Sequence, residues 1–208
     1  MIVYLHGLNS AGASAKAGVL RESLPSLEVI SPTYPAHSAG LAIEHLTDEL
    51  APLMEDGRYA AEPRLLVGSS MGGFYGAWLA ARLGFHHLVM INPALSPWTL
   101  LQQVEGWQYN EAKDENYYLS SEMVAATKAY HTQPDAVGVP VTLLMDKGDE
   151  LIDYRQVEKR YRGMANIHLF EGGSHAFEHM DEAVAIIGEI HHSLMGDGSP
   201  QMNANKRK

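Results

Sequence analysis

Short apolar segments alternate with amphipathic helical stretches along nearly the whole chain, and this alternation constrains the fold more than any other feature. We predict six strands, at residues 2–5, 27–31, 64–67, 87–91, 141–145 and 166–170. Helices are predicted at residues 13–24, 40–55, 71–83, 120–130, 153–161 and 175–194. Strands joined by helical crossovers form parallel sheets, and right-handed crossovers place helices on both faces. The chain is therefore expected to be an α/β protein with a mainly parallel sheet of about six strands.

The interval after the fourth predicted strand is much longer than one helix requires. We expect residues 92–135 to form a cap-like insertion within a single domain at 1–195. Its aromatic side chains either pack a small subdomain or line a substrate pocket. They are Trp98, Trp107, Tyr109, Tyr117 and Tyr118. Residues 196–208 are rich in glycine, asparagine and charge, and they are predicted to form a disordered tail.

The amino-acid composition excludes some classes of binding partner and some kinds of catalytic chemistry. The formal net charge of −10 argues against nucleic acid and anionic membranes, since both are polyanions. The chain has no cysteine, which excludes disulfides, cysteine-ligated zinc and thiol catalysis and is compatible with a cytoplasmic location. The sequence carries no signal-peptide pattern and no apolar stretch long enough to span a membrane, so neither is expected.

The strongest chemical motif is a G-x-S-x-G sequence between an apolar strand and a helix. It reads Gly68-Ser69-Ser70-Met71-Gly72, and only Ser70 has the flanking that the motif requires. The glycines allow a sharp turn that a side chain would obstruct, and the turn lifts the Ser70 hydroxyl to the carboxyl edge of the sheet. We therefore predict that Ser70 is a catalytic nucleophile.

A serine hydroxyl needs a neighbouring base to remove its proton. The chain has eleven histidines, but the base of such a site follows the last strand. His175 fits, because it comes after a flexible Gly172-Gly173-Ser174 loop and is expected to begin the last helix. The other candidates are expected to be structural or solvated: His168 within the strand, and His179, His191 and His192 on the final helix.

His175 to His179 also reads H-x-x-E-H, a pattern found in zinc peptidases. A zinc site would need both histidines well inside one helix, together with a further ligand downstream. The preceding glycines place His175 at a helix start instead, and little chain remains for another ligand. No metal is therefore expected.

The acid that orients the histidine should follow the penultimate strand. Asp149 is our choice, because it lies beyond the Gly148 turn and before the next helix begins. Asp153 is expected to be the N-cap of that helix, and it remains an alternative acid. Asp146 lies close to the strand end, and Glu150 is expected to point to solvent or to border the pocket.

An oxyanion formed at Ser70 would need two hydrogen-bond donors. The backbone N–H of Met71 is one candidate, and the other should come from the loop after the first strand. That loop begins His6-Gly7-Leu8, and the Leu8 N–H is the first candidate. His6 is expected to be a buried structural residue that hydrogen-bonds this loop.

These segments together resemble a known family. YLHGLNS, SPTYP, LLVGSSMGGFYGAWLA, GDELIDYRQ and EGGSHAFEH occur here in the order and spacing of the small bacterial YqiA-type esterases. The resemblance covers nearly the whole chain except the tail. It implies a compact α/β-hydrolase fold of about six strands, and hydrolysis of esters or thioesters with Ser70, Asp149 and His175 as the triad.

Sequence reasoning thus predicts a serine hydrolase acting on small acyl esters or thioesters, without metal or organic cofactor. Two alternatives stay open at this point: a non-catalytic binding module with the same fold, and an acyltransferase that uses the same triad. Oligomeric state, acyl chain length and the choice between ester and thioester are left undetermined.

Overall fold

The computed structural model of the chain describes residues 1–197, which contain eight strands and seven α-helices. The strands are β1 (Ile2–Leu5), β2 (Val29–Ile30), β3 (Leu65–Ser69), β4 (His87–Ile91), β5 (Gly106–Asn110), β6 (Glu115–Leu119), β7 (Val141–Asp146) and β8 (Asn166–Phe170). The helices are α1 (Ala15–Ser23), α2 (Ala39–Glu55), α3 (Met71–Leu79), α4 (Pro97–Leu101), α5 (Ser121–Ala126), α6 (Tyr154–Tyr161) and α7 (Met180–Asp197). Short 3₁₀ turns link several of these elements.

Six strands form one sheet in the order β2-β1-β3-β4-β7-β8, and every neighbouring pair in it is parallel. This confirms the predicted six-strand parallel sheet. The central strands β1, β3 and β7 are buried along their whole length, as expected when helices cover both faces. The sheet of β5 and β6 is a separate antiparallel hairpin in the 92–135 segment, and the sequence analysis did not predict it.

Successive side chains of each strand point to opposite faces of the sheet, and each face has its own hydrophobic core. On β1, Ile2 and Tyr4 pack with residues of α1 and α7 on one face of the sheet. Val3 and Leu5 point to the other face, where α2, α3, α5 and α6 supply the packing partners. The layers thus confirm helices on both faces, and they hold the carboxyl ends of the strands at one rigid edge.

The final helix begins later than predicted, at Met180 and not at residue 175. A helix cannot run on from residue 175, because φ is +64° at Phe177, which lies outside the right-handed helical region. His175 therefore lies in a loop. The helix also extends through Asp197, which includes the first two positions of the predicted tail, and the rest of that tail lies outside the described residues.

The other boundaries differ from prediction by a few residues. Helix α3 ends at Leu79, and one further hydrogen-bonded turn closes at Gly84, where φ is +71°. Strand β2 is reduced to two residues at the sheet edge. The predicted helix at 120–130 is α5 followed by a 3₁₀ turn over Thr127–Tyr130.

Candidate active site

The candidate site lies where the strand order changes direction. From β1 the chain runs outward to β2, and it then returns to the other side of β1 to form β3. A crevice opens at the carboxyl ends of two strands that separate in this way, and ligands of α/β proteins bind there. The loop that begins at His6 follows β1, and Ser70 follows β3.

Ser70 occupies a strained turn between β3 and α3. Its φ of +53° and ψ of −115° lie outside the regions that side-chain-bearing residues prefer, which costs about 1–3 kcal/mol. The flanking glycines make the turn possible. A Cβ added to Gly68 would lie 2.3 Å from the Gly72 oxygen, and one added to Gly72 would lie 2.0 Å from the Leu5 oxygen. The geometry of the turn thus requires glycine at positions 68 and 72, because a side chain there would clash with the backbone.

His175 lies between Ser70 and Asp149. Its Nε2 is 3.0 Å from the Ser70 Oγ, and its Nδ1 is 2.9 Å from the Asp149 Oδ2. Because a carboxylate only accepts hydrogen bonds, Nδ1 carries the proton and Nε2 is free to accept the serine proton. The structure therefore brings the three predicted residues together with the polarity that a serine nucleophile needs.

Asp149 is fixed by the loop that carries it. Its side chain is 1% exposed, and its Oδ1 accepts hydrogen bonds from the backbone N–H groups of Leu151 and Ile152, both at 2.8 Å. The alternative acid Asp153 is instead the N-cap of α6, where it accepts from the Arg155 N–H at 3.0 Å, as predicted. The carboxylate of the site is held in one orientation before any ligand binds.

Glu150 borders the site through backbone contact. Its Oε2 accepts a hydrogen bond from the His175 N–H at 3.0 Å. This hydrogen bond is the main reason that the pKa of Glu150 lies below its usual value. Glu150 therefore helps to hold the loop around His175, a role that was not predicted. It is exposed to solvent, as expected, and it is not among the residues that line the cavity described below.

A second buried carboxylate, Asp146, holds the same loop from below, and the sequence analysis missed this role. Asp146 ends β7 with its side chain fully buried. One oxygen accepts from the N–H groups of Ser174 and Glu178, at 3.2 and 2.8 Å, and the other lies 2.7 Å from the His179 Nδ1. A Cβ on Gly173 would fall 1.9 Å from Asp146 Oδ2, so only glycine allows this approach.

Asn92 completes this support. Its side-chain oxygen accepts from the Asp146 N–H at 2.9 Å, and its amide donates to the Ser174 oxygen at 3.0 Å. Thus β4, β7 and the His175 loop are joined by one buried polar network. The prediction that His179 is solvated on the final helix is wrong, because His179 precedes α7 and pairs with Asp146. Asn92 follows β4 and Asp146 ends β7. These polar residues at the ends of two buried strands are the sequence signal that could have indicated the network.

The loop after β1 is oriented by His6, which is buried as predicted. Its Nε2 accepts from the Tyr34 N–H at 3.3 Å, so its Nδ1 carries the proton and donates to the Gly7 oxygen at 2.8 Å. In a trans peptide the C=O and the next N–H point in opposite directions. Because the Gly7 carbonyl faces His6, the Leu8 N–H faces away from His6. Burial lowers the pKa of His6, which keeps the ring neutral.

The same loop is anchored by the hairpin β5–β6. The Tyr117 hydroxyl donates to the Asn9 Oδ1 at 2.6 Å, and the Asn110 amide donates to the Ser10 oxygen at 3.3 Å. Tyr117 is 7% exposed and stacks on the His37 ring with centroids 3.9 Å apart. Asn9 itself has a φ of +53°, so the loop needs such external support.

A cavity of about 530 Å³ is lined by Ser70, His175 and both predicted oxyanion residues, Leu8 and Met71. Met71 is the first residue of α3, so its N–H has no acceptor within the helix. The 92–135 segment supplies much of the apolar wall, with Pro97, Leu100, Leu101 and Val104. The size and the lining are typical of a small-molecule site.

The sequence matches the uncharacterised protein family UPF0227 over residues 1–191. The chain belongs to this family. The YqiA-type resemblance inferred from its motifs is thereby confirmed. Because the match includes the strand ends that carry Ser70, Asp149 and His175, the candidate site lies wholly within the family region of this UPF0227 protein.

Solved structures with a similar fold are α/β hydrolases, which confirms the α/β-hydrolase fold of this UPF0227 protein. Alpha/beta hydrolase domain-containing protein 10 from mouse is 18% identical, with a TM-score of 0.67 over 93% of this chain and 90% of that one. A monoacylglycerol lipase from Paleococcus ferrophilus is 19% identical, with a TM-score of 0.65 over 95% and 94%. Est1E from Butyrivibrio proteoclasticus, solved with ferulic acid bound, is 15% identical, with a TM-score of 0.68 over 94% and 89%.

The aromatic residues of the insertion do not line the cavity of this UPF0227 protein. Trp107, Tyr109 and Tyr118 are exposed on the hairpin, and Tyr117 is buried against the loop after β1. Trp98 packs edge-on against His131. Of the two alternatives for these aromatics, the one in which some of them line the pocket is therefore wrong, because the insertion contributes leucine, valine and proline side chains to the wall instead.

The two histidines of the H-x-x-E-H pattern face different partners. His175 lies between Asp149 and Ser70, whereas His179 binds Asp146. Among residues 1–197, no three histidine, aspartate or glutamate side chains are grouped as metal ligands. His168 lies in β8, His191 is half-buried on α7, and His192 is exposed there, so solvation was predicted correctly for His192 alone.

None of the helices in the described part of the chain is long and apolar enough to span a bilayer.

Proposed function

We propose that this UPF0227 protein is a serine hydrolase that cleaves carboxylic esters or thioesters through an acyl-enzyme intermediate. One observation carries the proposal. His175 is within hydrogen-bond distance of both Ser70 and Asp149, and this arrangement borders a cavity large enough for a small ligand. A binding protein has no physical need for a nucleophile, a base and an acid in this order.

In the proposed reaction the Ser70 Oγ attacks the carbonyl carbon while His175 Nε2 removes the hydroxyl proton. The resulting imidazolium is stabilised by Asp149, and it then gives its proton to the leaving alcohol or thiol as the bond to the acyl carbon breaks. In the second half, His175 takes a proton from water, and the hydroxide attacks the acyl-enzyme. The bond between the acyl carbon and the Ser70 Oγ then breaks while His175 returns the proton to that oxygen, and the carboxylic acid is released.

The negative charge that develops on the carbonyl oxygen needs donors in place beforehand. We assign this role to the N–H groups of Leu8 and Met71. The orientation of the Gly7–Leu8 peptide by His6 supports the first, and the position of Met71 at the start of α3 supports the second. Gly7 approaches Ser70 closely, since a Cβ there would lie 3.2 Å from the Ser70 Cβ.

The cavity favours an acyl or alcohol group of moderate size with an apolar surface. Residues 92–135 act as a cap in this proposal, because α4 and the turn after it cover one side of the cavity with leucine and valine side chains. Proteins with a similar fold include a monoacylglycerol lipase, which supports the choice of esters, and Est1E, which was solved with ferulic acid bound. No cofactor takes part in the proposed steps.

A fluorophosphonate probe tests the nucleophile directly. It reacts with an activated serine oxygen, forming a P–O bond as fluoride leaves. We expect the wild-type protein to gain one adduct on the Ser70 peptide by mass spectrometry, and the Ser70→Ala variant to gain none. Ser69→Ala is the matched control and should still be labelled.

Turnover of 4-nitrophenyl butanoate completes the test. Hydrolysis by the wild type and its loss in Ser70→Ala are expected, with unchanged circular dichroism spectra. Ester turnover retained by Ser70→Ala would contradict the proposal. A folded wild type that is neither labelled nor active would indicate a binding module. Products formed with an added alcohol would show whether the acyl group passes to an acceptor other than water.

The hydrogen bond between Tyr117 and Asn9 is expected to contribute to rate. Tyr117→Phe removes the hydroxyl that holds the loop after β1, so the Leu8 donor becomes less well positioned. We predict a decrease in kcat of roughly three- to tenfold, which is the range for one neutral hydrogen bond. Tyr118→Phe, an exposed position on the same strand, is the control and should change kcat by less than about twofold. Equal kcat values for Tyr117→Phe and the wild type would show that the anchor is not needed.

A further inference from the structure

The cavity contains one feature that ester hydrolysis by itself does not require. Lys16, in the first turn of α1, lines the same cavity as Ser70 and His175. The described residues that line this cavity include no aspartate or glutamate, although the whole chain has 25 acidic and 15 basic residues. Among the described residues that line the cavity, Lys16 is therefore the one lysine or arginine, and no carboxylate faces it across the wall.

Lys16 has no partner that would explain its position. Within residues 1–197 no carboxylate forms an ion pair with it. Asp146 is the acidic group that acts on it from a longer distance, but the oxygens of Asp146 already accept from Ser174, Glu178 and His179. A structural ion pair thus does not account for the lysine.

Lys16 is partly buried, and hydrogen-bond donors lie near it. Burial lowers the pKa of Lys16, and the more distant charge of Asp146 offsets this lowering only in part, so the ammonium group has lost water contacts without gaining an ion pair. Ser14 also lines the cavity, and its buried Oγ lies beside the hydroxyl of Tyr4, another residue of the cavity wall. The first turn of α1 contains no acidic residue that would satisfy its N–H groups.

We propose that Lys16 binds an anionic oxygen group of the substrate, so that the preferred esters carry a carboxylate or a similar anion in addition to the scissile bond. This inference rests on the proposed hydrolase function, because it assigns the substrate class of the same cavity. Lys16 acts in ground-state and transition-state binding and not in the chemical steps. An apolar wall on the insertion side and a cation on the α1 side together suit an amphiphilic ester.

Matched pairs of esters test the proposal and locate the anion. Mono-4-nitrophenyl glutarate and 4-nitrophenyl pentanoate differ by a terminal carboxylate on the acyl side. The butanoate esters of 4-hydroxyphenylacetate and of 4-ethylphenol differ in the same way on the alcohol side, where a methylene insulates the phenol from the carboxylate. For each pair the measured quantity is the ratio of kcat/KM for the anionic ester to kcat/KM for the neutral ester.

We expect this ratio to exceed one in the wild type for at least one pair, and to fall roughly ten- to hundredfold in Lys16→Met, the range for a hydrogen bond to a charged group. Lys16→Arg should retain most of the ratio, because it keeps the charge. Lys159→Met, an exposed lysine on α6 outside the cavity, is the matched control. A fall in one pair alone assigns the anion to that side of the ester. A ratio that Lys16→Met leaves unchanged in both pairs would overturn the proposal.

Calorimetric binding separates this inference from the proposed function. The Ser70→Ala protein is titrated with both pairs of esters, with and without Lys16→Met. Tighter binding of an anionic ester than of its neutral partner, if it depends on Lys16, would support the anion site even if no ester were turned over. Equal affinities within both pairs, together with hydrolysis of these esters by the wild type, would overturn the anion site and leave the proposed hydrolase function intact.

Discussion

Replacement of Asp149 by asparagine is expected to lower kcat for ester hydrolysis by about 10³- to 10⁴-fold. The asparagine amide cannot stabilise the imidazolium of His175, and it favours the tautomer whose Nε2 carries the proton and faces Ser70. Little loss of stability should accompany this change, because the asparagine oxygen can still accept from the N–H groups of Leu151 and Ile152. Steady-state kinetics with 4-nitrophenyl butanoate and thermal melts of the same samples provide the measurements.

Asp153→Asn is the matched control for this experiment. Asparagine is as good an N-cap as aspartate, so α6 should keep its stability and kcat should stay within about twofold of the wild type. The pair of variants separates Asp149, the acid chosen from the sequence, from the alternative Asp153. A large loss in Asp153→Asn together with a small one in Asp149→Asn would assign the triad acid to Asp153 and refute the present choice.

Replacement of Asp146 by alanine is expected to destabilise the fold by about 3–5 kcal/mol. The change leaves the N–H groups of Ser174 and Glu178 and the ring of His179 without their buried acceptor. The loop that carries His175 should loosen as well, so kcat should fall even in the fraction that remains folded. Urea unfolding gives the free energy, and kinetics below the transition give kcat.

An exposed ion pair provides the contrast. Lys147 follows Asp146 in the chain and pairs with Glu171, whose side chain is 84% exposed. Glu171→Ala should cost no more than about 1 kcal/mol, because solvent screens such pairs. If Asp146→Ala cost as little as Glu171→Ala, the buried network would not hold the histidine loop, and its role would have to be sought elsewhere.

Much of the fold was predictable because it depends on local patterns. Strands β1, β4 and β8 have the predicted bounds, since each is an apolar run ended by a turn signal. The G-x-S-x-G turn was predictable for a steric reason that two glycines satisfy. The hairpin β5–β6 was not, because β6 shows no alternation of apolar and polar residues. In β5 aromatic and polar residues do alternate, but the aromatic side chains are the exposed ones, so the pattern does not mark a buried face.

The parts of the site that sequence reasoning missed are those made by contacts between distant segments. Asp146 and His179 lie 33 positions apart, and a polar residue at the end of a buried strand indicates a polar network without identifying its distant partners. The predicted helix start at residue 175 failed for the same reason. That network holds residues 172–179 in positive-φ turns that helix propensity does not reveal.

The 92–135 segment has two structural roles, and under the proposed function this limits how the protein could be altered. One part of it forms the cavity wall through Leu100 and Val104, while its hairpin fixes the loop of Leu8 through Tyr117. Exchange of the whole segment for that of a relative would thus change selectivity and turnover together. A graft that is meant to retune selectivity alone would have to keep the tyrosine at 117 and the asparagine at 110, and vary only the α4 side.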